Sequence, residues 1–196
     1  MKLTIHQKWY LQQVENTFTN LKAPRLNWAL RNAVNTAAKQ VERFTERKVS
    51  EVASAKVKRV KRGVYIKSKA TTNFPEADIV GSGTPLPLKF FKAKETKRGV
   101  TYTMFGTKKI LPHGFIQGGK FPQRVNLKMG GNVFQRINGD QFPIAKQEGV
   151  SIAEVMFQSE IASSIAEYAN ERLTKNIQIQ LARQEYAAKN KAKSRS

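Results

Sequence analysis

The sequence predicts an α+β fold: long N-terminal helices, a central mostly antiparallel β region with a hairpin at about 124–137, and a long C-terminal helix. Three observations carry this. Leu26, Ala29, Leu30, Ala33, Val34, Ala37, Ala38, Val41 and Phe44 keep the three-or-four spacing of one helix face. After Gly63 the apolar period changes to two. After Ser151 the helical spacing returns.

Taken in order, Trp9, Tyr10, Val14 and Phe18 are spaced to share a helix face before Ala23-Pro24 interrupts the pattern. A core helix follows from about Leu26, and Val49 to Val60 reads equally as its continuation or as a basic arm that Gly63 stops. Val64–Lys67, Asp78–Val80 and Val100–Phe105 read as strands. Pro85-Leu86-Pro87-Leu88 should lie extended at an edge, because proline cannot donate to a ladder. Lys89 to Gly99 reads as a basic loop or irregular hairpin connection, and Phe115-Ile116 as a short strand between Pro112 and Gly118-Gly119. Arg124 to Met129 alternates, Gly130-Gly131-Asn132 offers a positive-φ turn, and Val133 to Ile137 returns, which together predict the hairpin. From Ser151, which can cap with Glu154, a helix is expected to about Ala188, roughly 55 Å long. That is more than a small domain needs for its own core. The organisation expected is 1–62 helical, 63–148 β-rich core, 149–188 C-terminal helix and 189–196 a basic tail, all within one α+β domain.

With 196 residues, 40% of them hydrophobic, the chain can bury a core. Cysteine is absent, which excludes disulfides and thiolate metal sites. No apolar run approaches the roughly 20 residues that span a bilayer, so no membrane partner is expected. The formal net charge is +21, far beyond the magnitude of about 2 to 8 usual for a small soluble domain. Such an excess points to a polyanionic neighbour. The cations cluster: Lys56, Lys58, Arg59, Lys61, Arg62, Lys67 and Lys69 follow Glu51 without an acid between them, and 96–139 is also acid-free. Lys56, Lys58, Arg59, Lys61 and Arg62 are the candidate DNA-proximal residues. On a helix they would spread over a wide arc, suited to phosphates and poorly suited to reading bases. Tyr65 is the nearest ring in sequence, so a single-strand stacking platform is disfavoured. Contact with acidic residues of a neighbouring subunit fits the same cluster.

Signs of catalysis are few. The two histidines and the scattered carboxylates form no known signature, and His113 has no second ligand at metal spacing. Gly130-Gly131 and Gly118-Gly119 lack the strand-to-helix context of a phosphate loop and read as turns. Neither enzymatic activity nor a cofactor nor a metal is expected.

His113-Gly114-Phe115-Ile116, Gly131-Asn132-Val133-Phe134-Gln135-Arg136, Phe142-Pro143-Ile144 and Gly149-Val150-Ser151-Ile152 occur in an order that resembles the minor tail protein Z family of lambdoid and related tailed phages. Ile79-Val80-Gly81-Ser82-Gly83 followed by Pro85-Leu86-Pro87-Leu88 is similar to the family's upstream segment, and Val150 stands where the family usually has proline. The resemblance implies a structural virion protein, acting in tail completion at the head-proximal end of the tail and made in the cytoplasm of a bacterial host. Its implied partners are further copies of itself in a ring, expected as a hexamer, the tail terminator or tail tube and head-connector proteins, and double-stranded DNA bound without sequence preference. Charge and size alone fit a second class as well, a free basic nucleic-acid-binding protein of nucleoid or ribosomal type.

Overall fold

The computed structural model describes residues 2–4, 25–120, 122–138 and 140–193. The helix expected around Trp9 to Phe18 and the last residues of the tail lie outside them. The sequence reads as one domain; the contacts divide the chain into two compact units interleaved along it. One comprises 1–45, 64–80 and 162–196, the other 46–63 and 81–161. The architecture is α+β, with antiparallel strand pairing and two long helices, as the periodicities predict.

In the first unit, β1 (Lys2–Thr4) lies beside β3 (Asp78–Gly81), which is central to a three-stranded sheet completed by β2 (Val64–Ser68). A strand at 2–4 departs from the all-helical reading of 1–62; Lys2, Leu3 and Thr4 pair antiparallel with Val80, Ile79 and Asp78. Helix α1 (Arg25–Ala53) and the long C-terminal helix α4 (Ser159–Lys193) supply the core. Ala29, Leu30, Ala33 and Ala37 meet Leu173, Ile177 and Leu181. The small alanines let the backbones approach, and the pairing is antiparallel: Gln40 accepts from the Asn176 amide at 3.0 Å, and Phe44 stacks on Tyr168 with centroids 4.1 Å apart. Asn35 clamps the chain after β2 to the helix, donating to the Ala70 carbonyl (3.0 Å) and accepting from its N–H (2.9 Å).

The second unit takes the last two turns of α1. That helix ends where Ser54 enters the left-handed region (φ 57°) and the Ala55 N–H closes on the Ser50 carbonyl at 3.1 Å, so Val49–Val60 is not one helix. A separate single turn, α2 (Val57–Val60), follows. Strand β4 (Pro85–Pro87) pairs with β11 (Glu148–Ser151) in a two-stranded ladder, extended as the prolines require, and Leu88–Phe90 forms a 3₁₀ turn. Strands β5 (Lys94–Thr96), β6 (Gly99–Met104) and β7 (Thr107–Pro112) form a meander. Here the expected basic loop contributes β5, and β7, which the sequence reading missed, pairs with β6 over six positions. A third sheet has the order β10 (Ile144–Lys146), β9 (Phe134–Arg136), β8 (Gly114–Phe115).

That third sheet corrects the hairpin expected at 124–137. The turn is present, with Gly130 and Gly131 at φ 66° and 64°. Its two arms do not pair, because β9 already has neighbours on both edges: Phe115 faces Phe134 on one side, and Ile144 faces Arg136 on the other. Val125 instead bridges Gly118 through two backbone hydrogen bonds of 2.8 and 2.9 Å.

The C-terminal helix also begins later than expected. Gly149 and Val150 belong to β11, and Ser151 caps a short helix, α3 (Ile152–Met156), with a complete capping box. The chain then breaks at Phe157-Gln158 before α4. Ser159-Glu160 supplies residue types favoured at a helix start. Ile152, Val155 and Met156 are buried with Leu86, Leu88, Phe91, Val100 and Val133 in this unit's interior.

Candidate nucleic-acid interface

The five candidate cations all fall in the second unit, on and around α2, between the left-handed end of α1 and Gly63. Val60 is fully buried and anchors the turn, while Val57 is largely exposed. A four-residue helix has one inward position to spend, so its neighbours point out. Lys56, Lys58, Lys61 and Arg62 are exposed and Arg59 is half-buried.

Tertiary packing adds an aromatic centre that linear spacing could not show. The Lys56 N–H donates to the Phe90 carbonyl at 3.0 Å, which fixes the turn against the 3₁₀ segment. The Phe90 ring then takes the Arg59 guanidinium at 5.8 Å from its centroid and the Lys89 ammonium at 5.3 Å. Both distances lie within the range of cation–π attraction. Lys89 also donates to the Gly130 carbonyl at 2.8 Å, so its position is held from two sides. Phe90, some thirty residues from the basic run in sequence, thus replaces Tyr65 as the ring associated with the cluster.

Compensating acid is scarce. Glu46 stands 4.0 Å from Lys61, whose side chain is 59% exposed, so that pair is a weak solvent-screened contact. Lys56, Lys58 and Arg62 have no ion pair among those of the described residues. The arrangement presents positive charge on a short, rigid feature with no groove-reading helix. That geometry suits phosphate oxygens and carries no device for distinguishing bases.

A second feature of the same unit is a cleft of about 840 Å³ between the β5–β6 connection and the 113–144 loops. His113 lies on its wall, exposed and at φ 57° between β7 and β8. Among the described residues, no group of three or more His, Cys, Asp or Glu side chains is placed to hold a metal ion. No described helix is long and apolar enough to cross a membrane. No family model matches the chain, and no curated protein or solved structure matches it either.

Proposed function

We propose that this chain is a structural assembly protein of tailed-phage virions, a tail-completion or neck component of the minor tail protein Z kind that surrounds the DNA channel as a ring. The tail assignment rests on the resemblance in segment order described above. The DNA-facing part is carried by one observation: Lys56, Lys58, Lys61 and Arg62 stand in solvent on a turn whose sole ion-pair partner among the described residues is Glu46 at 4.0 Å.

Around DNA, such a surface attracts the backbone by counterion release and holds no register, which suits a genome that slides past or rests in place. The reaction is assembly, without turnover. The neighbours in this scheme are further copies of the chain, the tail terminator or tube, and the head connector.

A nonsense allele in the encoding phage tests the proposal. DNA-filled heads and finished tails should accumulate unjoined, and purified protein added to the lysate should restore infectious particles. Normal joining without the protein would overturn it. A strictly monomeric protein that binds duplex DNA tightly, in particles that join normally, would establish the free nucleic-acid-binding class instead.

A further inference from the structure

The charge of this chain is sorted as well as excessive. Residues 96–139 hold no acid, and 147–171 hold no lysine, arginine or histidine. The structure gives each stretch a distinct surface.

The acid-free stretch builds most of the cleft wall. Lys97, Arg98, His113, Arg124 and Arg136 line it, with Glu95 as the single carboxylate among the described residues. Glu95 is already satisfied: it accepts from the Ile116 and Gln117 N–H groups at 3.2 and 3.0 Å and pairs with Arg124. Arg124 is thereby committed to Glu95 and leaves Lys97, Arg98 and Arg136 as the cleft's unpaired cations among the described residues. Arg136 lies over the Phe115 ring at 5.5 Å, which aligns its guanidinium without neutralising it. Phe142, Ile137 and Met129 line the same cleft while 68%, 61% and 40% exposed. Exposed apolar groups beside unpaired cations are the pattern of a protein contact, whereas a phosphate backbone offers nothing to bury them.

The base-free stretch contains the first three turns of α4. Glu160, Glu167 and Glu171 are exposed there, seven and four residues apart, so they fall on one stripe about 17 Å long. Arg172 touches Glu171 at 3.5 Å and leaves its side chain 63% exposed.

We infer that the cleft of one copy receives the Glu160–Glu167–Glu171 stripe of a second copy, in a head-to-tail contact. Each copy carries both surfaces, so the contact is heterologous, the kind that builds a ring where the rotation from copy to copy closes and an open filament where it does not. Without local complementarity, copies of +21 would repel one another. This inference rests on the ring reading above and specifies its interface.

Sedimentation of the full-length protein at low salt tests it with two double variants. Glu167→Lys with Glu171→Lys reverses the stripe; Arg98→Glu with Arg136→Glu reverses the cleft. Each alone should weaken self-association by about tenfold or more while circular dichroism stays that of wild type. Mixed one to one, they should reassociate, because each then meets a surface of opposite sign. If wild type associates and both variants associate equally well, or if the mixture fails to recover, this interface is wrong and the ring reading survives. A wild type that stays monomeric throughout overturns both. Loss of duplex-DNA binding by the cleft variant, with its association intact, would make the cleft a DNA site and overturn the inference.

Discussion

Ser151 shows how far a single residue can be read from sequence. Its hydroxyl accepts from the Glu154 N–H at 3.1 Å, and the Glu154 carboxylate accepts from the Ser151 N–H at 2.7 Å, the reciprocal pair that the Ser-x-x-Glu spacing predicts. Ser151→Ala should therefore cost about 1 kcal/mol, measured by urea unfolding. Gly149 is the contrary case. It lies in β11, where a Cβ would press on the Phe91 ring and the Met104 methyl. Because Phe91 is fully buried and has nowhere to move, Gly149→Ala should destabilise by about 1 to 3 kcal/mol in the same assay. A neutral effect would mean that this contact is looser than the packing shows. Close approach by a distant ring leaves no mark in the local sequence, so this demand for glycine is legible only in the fold.

At the scale of elements, legibility followed periodicity. The face of α1 from Leu26 to Phe44 and the spacing of Ile165, Ala169, Leu173, Ile177 and Leu181 on α4 were written in the chain, and these faces form the core. Leu181 is completely buried in that seam, so Leu181→Ala should cost about 2 to 5 kcal/mol by chemical denaturation. Strand identity was less legible. Strand β7 is exposed at every position but Leu111, so Lys108-Lys109-Ile110 shows no alternation to detect. The turn at Gly130-Gly131 was visible, whereas the partner of β9 depended on edges supplied by residues some twenty positions before and ten after it. The basic cluster was found as a run; its ring, Phe90, required tertiary contact. Replacing Lys58, Lys61 and Arg62 with Gln should lower the slope of log affinity against log salt by about 2 to 3, equally on unrelated duplexes. An unchanged slope would remove this turn from the DNA surface.

For the whole molecule, the proposed assembly around a polyanion would answer the excess of charge, its segregation along the chain and the length of α4 together. Composition alone carried the first; residue numbering carried the second once the cleft and the helix stripe had been located. The central claim is that the protein encircles DNA in a virion with the α2 turn directed inward. A cryo-electron microscopy reconstruction of the head–tail junction of the encoding phage tests this most directly. The account predicts density for a ring of this chain with Lys56, Lys58, Arg59, Lys61 and Arg62 on the lumen wall, and the claim is contradicted if the chain is absent from the particle or if those residues face away from the DNA.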